Sequence, residues 1–230
     1  MDDFFVDGRG ASEFGTRLLA SYSVGGASLV RSRVQPTAGQ RFVPAGSRVG
    51  LRSITLPVHL YGPSPRQAAE RKSALDAALL ADPVELALPD GFVYTASLDE
   101  IGAVTELSAD GCILSGSYKL SGFRHDPLER AELPAGGGTL LVRGTAPDIE
   151  CRLRCTVGAD AASYPMAGIL WVEVKAGDLL CLDGIRRAVT RNGENALGQC
   201  DLTRWPLLAP GENRLTAPDP LTVEYYPVWL

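Results

Sequence analysis

Histidine is scarce in this chain of 230 residues, which contains only His59 and His125. Two separated histidines leave little material for histidine-rich metal sites or for most histidine-based catalysis. The five cysteines are an odd number in a chain too long to be a disulfide scaffold, so we expect them to be reduced. No apolar run reaches the roughly 18 residues of a membrane-spanning helix. The first ten residues, MDDFFVDGRG, lack the basic region of a secretory signal. We therefore expect no membrane insertion.

Lysine is also scarce, and the basic and acidic residues are unevenly distributed along the chain. The net charge is −5, which gives no reason to expect sequence-specific nucleic-acid binding. Residues 14–69 contain no acid at all, but they contain seven arginines: Arg17, Arg31, Arg33, Arg41, Arg48, Arg52 and Arg66. Acids lie elsewhere in the first half, including Asp2, Asp3, Asp7, Asp99 and Glu100.

This charge segregation suggests a contact between copies of the chain. Arginine suits interface carboxylates because its guanidinium forms paired hydrogen bonds with them. We expect Arg31, Arg33, Arg48 and Arg52 to include residues that contact a neighbouring copy. The alternative is that they are solvated charges that keep a strand edge from pairing wrongly.

One segment, SPRQAAERKSALDAALLADP, predicts an α-helix over about 65–81. Ser64 is a favoured N-cap, Pro65 suits the first helical position, and Gln67 completes a capping box. The apolar face is narrow and rich in alanine, and it consists of Ala68, Leu75, Ala78 and Leu79. We expect this face to lie closely on a β-sheet.

The remainder of the first half alternates apolar and polar residues, as half-buried strands do. In SITLPVHLY the apolar residues are spaced two apart, and Pro57 predicts an edge or bulged strand. VELALPDGFVYTASL predicts a hairpin with its turn at residues 89–91, and two more strands follow it. The first half is therefore predicted to be a β domain that carries one helix.

Residues 123–138 interrupt this pattern, because charged residues, two prolines and three consecutive glycines cluster there. We place the domain boundary in this segment, which gives domains 1–127 and 128–230, and we expect residues 127–138 to be an exposed connection. In the second half, IECRLRCTV alternates strictly, and short strands follow at a spacing typical of a β-sandwich or jelly roll. The predicted fold class is mainly β with one α-helix.

The sequence offers no clear motif for bond chemistry. Cys151 and Cys155 would lie about 13 Å apart on one strand face, too far for a single zinc ion, so we interpret them as small core residues. The glycines at 136–138 precede a strand rather than a helix, unlike those of a phosphate-binding loop. We assign no catalytic residue, no cofactor and no metal site, and we do not expect an enzyme.

The three tryptophans support an alternative function for the chain, which is binding to carbohydrate. Trp171 lies among alternating apolar residues and is expected in the core. Trp205, beside Pro206, and Trp229, near the end, are candidate glycan contacts because sugars stack on exposed aromatic rings. Under this alternative the chain is a carbohydrate-binding module or a glycan-processing accessory. The other interpretation of both residues is packing or contact between subunits.

The order of elements resembles that of the distal tail protein of long-tailed, non-contractile bacteriophages. In the first half, RVGLRSITLPVHLYG, the helix PRQAAERKSALDAALL and VELALPDGFVYTASLDEI carry the resemblance. In the second half, a DG hairpin, an NGEN loop, WPLLAPGEN and a closing strand with YYP carry it. The resemblance covers nearly the whole chain.

This resemblance implies a structural role at the virion tail tip, with no catalytic residue to transfer. It implies a ring-forming N-terminal domain, a C-terminal galectin-like β-sandwich and a hexameric ring. The implied partners are further copies of the chain, the tail tube protein and the tail-tip hub or tail-associated protein, with the tape measure and receptor-binding proteins as further candidates. The protein would be made in the host bacterial cytoplasm before it enters the virion.

Overall fold

The computed structural model describes residues 3–34 and 43–230, and the side chains of residues 30, 31, 33, 34 and 43–48 lie outside that description. The chain divides into two compact units, residues 1–125 together with Leu230, and residues 126–229. The predicted boundary lies two residues farther along the chain. No helix in the described ranges is long and apolar enough to cross a bilayer.

The described part of the first unit contains one α-helix, α1 (Pro65–Leu79), and a 3-10 helix (Ala11–Phe14). Its strands are β1 (Phe5–Val6), β2 (Arg9–Gly10), β3 (Thr16–Leu18), β4 (Ser23–Val24), β5 (Leu29–Val34), β6 (Val43–Val49), β7 (Arg52–Tyr61), β8 (Val84–Ala87), β9 (Val93–Ile101), β10 (Thr105–Glu106) and β11 (Ile113–His125).

The main sheet of the first unit is antiparallel and has the order β2-β1-β8-β9-β11-β7-β3. Strand β4 pairs with β7, and β10 pairs with β11. Strands β5 and β6 form a separate two-stranded sheet. The hairpin β8–β9 closes through the predicted turn, in which Gly91 N–H donates to the carbonyl oxygen of Leu88.

Helix α1 covers one face of this sheet. The Ser64 hydroxyl accepts a hydrogen bond from Gln67 N–H, which confirms the predicted N-cap. Ala68, Leu75 and Leu79 are buried in the same cluster as the apolar face of β7, which consists of Ile54, Leu56, Val58 and Leu60. The predicted stripe is therefore the face that packs on the sheet.

The prediction that β7 is an edge or bulged strand is wrong. It lies inside the sheet, with β11 on one side and β3 and β4 on the other. Pro57 is tolerated because it falls between the last β3 pair, at Val58, and the first β4 pair, at Thr55, where no strand needs its missing N–H. Its carbonyl oxygen accepts a hydrogen bond from Leu19 N–H.

The second unit consists of strands and one short 3-10 helix (Leu197–Gln199) in the described chain. Its strands are β12 (Glu129–Leu133), β13 (Gly138–Val142), β14 (Ile149–Thr156), β15 (Ala161–Met166), β16 (Ile169–Val174), β17 (Leu179–Asp183), β18 (Ala188–Arg191), β19 (Glu194–Asn195), β20 (Leu207–Leu208), β21 (Gly211–Leu215), β22 (Leu221–Tyr225) and β23 (Val228–Trp229).

The main sheet of this unit has the order β12-β22-β14-β17-β18-β19, and β20 also pairs with β14. Strands β13 and β21 form one additional pair, and β15 and β16 form another. Alternation along β14 buries Cys151, Leu153 and Cys155, as predicted, in a core that includes Trp171. Over residues 3–34 and 43–230 the chain is mainly β with a single α-helix.

The expectation that residues 127–138 form an exposed connection is wrong for residues 129–133. Residues Glu129–Leu133 form β12, which pairs along its whole length with β22. Leu133 is buried in the core of the second unit. Two of the charged residues in this segment, Arg130 and Glu132, alternate with Ala131 and Leu133 along β12. Strand β12 is at the edge of its sheet, where exposed charge discourages pairing with foreign strands.

Candidate functional site

Three of the four predicted arginines lie on the β5–β6 hairpin, and the fourth, Arg52, begins β7. By backbone position, Arg31 and Arg33 belong to β5 and Arg48 belongs to β6, opposite Val30. Their side chains lie outside the described residues, so their predicted contact with a neighbouring copy stays a prediction. The backbone places them on two strands that pair with each other.

Arg52 differs from the rest of the set. It is only 9% exposed, and its Nη1 donates a hydrogen bond of 2.9 Å to the carbonyl oxygen of Gly25. A buried guanidinium that is bonded within its own chain has little surface to offer a partner. The structure therefore does not support Arg52 as a contact with a neighbouring copy, and it gives this residue the role of fastening the segment before β5 to β7.

Several of the acids expected to face these arginines also have partners in their own chain. Asp3 lies 3.8 Å from Arg17, and an Asp7 carboxylate oxygen accepts a hydrogen bond from Glu85 N–H. Asp2 lies outside the described residues. Asp99 accepts a hydrogen bond from the Ser121 hydroxyl, and Glu100 pairs with Lys119 at 2.7 Å. Asp99 and Glu100 nevertheless stay exposed at the end of β9.

A charged row crosses three adjacent strands of the second unit. Arg152 on β14 lies opposite Asp183 on β17 and Glu224 on β22. Its guanidinium pairs with Asp183 at 2.6 Å and with Glu224 at 2.9 Å, and both carboxylate side chains are only 8% exposed. Partial burial disfavours the charged guanidinium, but the two carboxylates more than offset this effect and raise the pKa of Arg152. The row holds register between strands and leaves no charge of its three members unpaired.

The buried thiols of the second unit are poorly suited to chemistry. Burial raises the pKa of Cys151 to about 12. Burial also raises the pKa of Cys155, whose sulfur lies 3.0 Å from the Tyr164 hydroxyl. A thiol is nucleophilic and binds metals as the thiolate, which such pKa values suppress. Within residues 3–34 and 43–230, no group of three or more His, Cys, Asp or Glu side chains is arranged to hold a metal ion.

The two histidines occupy different surroundings in the first unit. His125 is buried, and its Nε2 lies 3.0 Å from the Thr95 hydroxyl oxygen. His59 lies edge-on to the Tyr61 ring, 6.3 Å between ring centroids. Neither described contact places an imidazole against a cysteine or serine nucleophile.

Trp205 lines a pocket of about 480 Å³ in the second unit. Asp148, Thr203 and Arg204 supply polar groups to the same pocket, and Leu208 and Ile169 supply apolar ones. The Arg187 guanidinium lies 5.5 Å from the centre of the Trp205 ring, within the range of a cation–π contact. The arrangement combines an aromatic surface with a few polar groups, as small-ligand sites do.

Trp229 does not line this pocket. It is half-buried, and its indole nitrogen is removed from solvent without a hydrogen-bond partner among the described residues. The two tryptophans that the sequence suggested as glycan contacts are thus not brought together in one pocket. Trp171, as predicted, is fully buried.

The whole chain has the fold of phage adsorption-hub proteins. It superposes on the crystal structure of SPP1 Dit (gp 19.1), described as a paradigm of the hub adsorption apparatus in phages infecting Gram-positive bacteria, with a TM-score of 0.73 and 14% identity over 99% of both chains. It also superposes on a chain of the phage P2 baseplate in its activated conformation with Ca, with a TM-score of 0.58 and 10% identity over 95% of this chain and 92% of that one. The strontium form of that baseplate gives a TM-score of 0.57 and 9% identity, over 94% of this chain and 92% of the other.

No protein-family model matches the sequence, and no curated protein sequence matches it. The similarity is therefore one of fold. It bears out the resemblance to phage distal tail and baseplate hub proteins that the order of elements suggested.

Proposed function

We propose that this protein is a structural component of a phage tail tip, in which copies form a ring that joins the tail tube to the adhesion apparatus. The observation that carries the proposal is the superposition on a phage adsorption-hub protein over 99% of both chains, which leaves neither unit unexplained. The buried thiols with raised pKa values and the paired charges of the second unit also suit a scaffold better than a catalyst.

The finer features of the proposal follow from the resemblance. The ring is hexameric, the first unit forms it, and the second unit is a galectin-like sandwich. The partners are the tail tube protein and the tail-tip hub protein, with the tape measure and receptor-binding proteins as further candidates. The chain is made in the host cytoplasm, resides in the virion and catalyses no reaction.

We expect the protein to be found at one end of the tail of the phage that encodes it. Immunogold labelling of purified virions should decorate the end of the tail farthest from the capsid. An antibody against the major tail tube protein is the control, and it should label along the shaft. The proposed location would be contradicted if the antibody against this protein also labelled the shaft. It would also be contradicted if that antibody labelled neither end of the tail.

A second candidate function rests on the Trp205 pocket. Because Trp205, Asp148 and Thr203 combine an aromatic surface with hydrogen-bonding groups, the pocket could accommodate one sugar ring, and the protein would then be a carbohydrate-binding module or glycan-processing accessory. Fold alone does not assign this activity, since function depends on sites carried by folds.

If the second candidate is correct, host cell-wall glycans should bind the full-length protein, and Trp205→Ala should weaken binding at least tenfold. Trp229→Ala is the matched control, because Trp229 does not line the pocket, and it should bind as the unmodified protein does. Isothermal titration with wall fragments measures both variants. Equal binding by Trp205→Ala and the unmodified protein would exclude the pocket as a glycan site.

A further inference from the structure

The main sheet of the first unit has an exposed edge that no described strand covers. Strand β8 pairs with β9 only as far as Ala96, so the end of β9 continues past it. Strand β10 pairs with β11 on the same side as β9 does. We call residues 99–107 the β9–β10 edge. An edge of this kind presents unpaired backbone N–H and carbonyl groups to any strand that approaches it.

Three apolar side chains are exposed along this edge. Ile101 is 40% exposed, Val104 41% and Leu107 52%. Single exposed apolar residues are ordinary, but three on one nine-residue edge form a surface that another chain could cover. A strand added here would bury them and would also satisfy the free backbone groups.

The charge on the edge determines which strand could be added. Residues 73–118 contain eight acids and no lysine or arginine. Three of these acids, Asp99, Glu100 and Glu106, lie on the β9–β10 edge and are exposed. Lys119 pairs with Glu100, but the edge as a whole stays acidic. Two such edges would repel one another, so the complementary strand is a basic one.

The same chain contains a basic pair of strands without a third partner. Strands β5 and β6 pair with each other and with no other strand in the described part of the chain. An isolated two-stranded hairpin is only marginally stable in water. Residues 29–49 contain Arg31, Arg33, Arg41 and Arg48 and no acid.

We propose that the β5–β6 hairpin of one copy of the chain adds to the β9–β10 edge of the next copy. This contact rests on the proposed ring, and it gives that ring a head-to-tail interface, because each copy offers two different surfaces. Backbone hydrogen bonds and burial of Ile101, Val104 and Leu107 supply the affinity. The arginines and acids set register and partner choice.

Charge reversal on each surface tests this contact. Asp99→Lys with Glu100→Lys makes the edge basic, and Arg31→Glu with Arg33→Glu makes strand β5 of the hairpin acidic. At low ionic strength each variant should require at least tenfold more protein to assemble than the unmodified chain does. Glu132→Lys with Glu212→Lys changes the net charge as much as the edge variant does, at exposed sites in the second unit, and should assemble normally.

Combining the two altered surfaces gives the sharper result. A chain that carries all four substitutions has complementary surfaces again and should regain assembly. An equimolar mixture of the two separate variants should also form rings, in which the two variants alternate, because each variant's hairpin then meets an edge of opposite charge while contacts between identical variants are repulsive. Thermal melting confirms that each variant folds, and native mass spectrometry counts the copies.

The outcomes separate this contact from the wider role. If the unmodified chain forms rings and both reversal variants form them equally well, the hairpin-to-edge contact is wrong and the structural role stands. If the four-substitution chain fails to regain assembly although it is folded, the contact is also wrong. An unmodified chain that stays monomeric at every concentration and is absent from purified tails would overturn both proposals.

Discussion

Replacing Arg152 with alanine is expected to lower the free energy of unfolding of the second unit by about 3–5 kcal/mol, because removing one member of a buried charge network leaves its partners uncompensated. Asp183 and Glu224 would lose the guanidinium that bridges them, while both stay 8% exposed. Arg154 lies 3.6 Å from Glu224 and would compensate it in part, which places the expected loss toward the lower end of the range.

Tryptophan fluorescence during urea unfolding measures this loss selectively. Trp171 lies in the core of the second unit and Trp205 packs against that core, so both report on its unfolding. Arg130→Ala is the matched control, because Arg130 pairs with Glu132 at the surface, with both side chains more than half exposed. We expect it to change stability by less than about 0.5 kcal/mol.

Removing all three charges completes the test of the network. The triple variant Arg152→Met, Asp183→Asn, Glu224→Gln should recover most of the stability that Arg152→Ala loses, since neutral groups of similar volume carry a smaller desolvation cost. A loss below about 1 kcal/mol for Arg152→Ala would show that the carboxylates are better solvated than the structure indicates.

The second large effect is expected in the first unit, where Leu75→Ala should destabilise the packing of α1 on the sheet by about 2–5 kcal/mol. Leu75 is fully buried against the sheet, so the substitution removes apolar contacts and leaves a cavity. Hydrogen exchange at the amides of β7 and β11 should become faster, whereas the amides of β14 and β17 in the second unit should keep their protection.

Leu80→Ala makes the same chemical change next to the same helix and is the control. Leu80 is the C-cap of α1 and is 63% exposed, so its loss should cost less than about 0.5 kcal/mol. Equal effects of the two substitutions would mean that the buried face of α1 contributes little to the unit. That result would contradict the conclusion that the apolar stripe of α1 stabilises the unit by packing on the sheet.

Features that depend on local periodicity could be predicted from the sequence. The Ser64 cap, the stripe through Leu75 and the alternation along β14 involve residues within a few positions of one another. Steric and hydrogen-bonding rules act directly at that range. The element order also sufficed to suggest the phage hub fold that the superposition then supported.

Features that depend on distant pairing could not be predicted. Pro57 suggests an edge strand, because the sequence around it does not reveal the gap between β3 and β4 that faces Pro57 in the sheet. The sequence of Glu129–Leu133 predicts a linker because its pairing partner β22 lies about ninety residues away in the chain. The partners of Arg152 are 31 and 72 residues distant. One local signal was present: Glu224 lies within an apolar strand, where an acid needs a partner.

The predicted arginine contacts likewise depend on features that the local sequence does not reveal. The absence of acids from residues 14–69 is visible in the sequence, but which arginines are free to meet a neighbour depends on burial. Arg52 lies within the same basic stretch as Arg48, yet it is buried and bonded to Gly25. The hairpin positions therefore stay the stronger candidates for contacts between copies.

Native mass spectrometry of the purified, unmodified protein at low ionic strength tests the central claim most directly. The account predicts a closed assembly of six chains of 24.4 kDa, about 146 kDa in total, with no larger open-ended series. A monomer at every concentration would contradict the ring, and so would a ladder of assemblies that grows without closing.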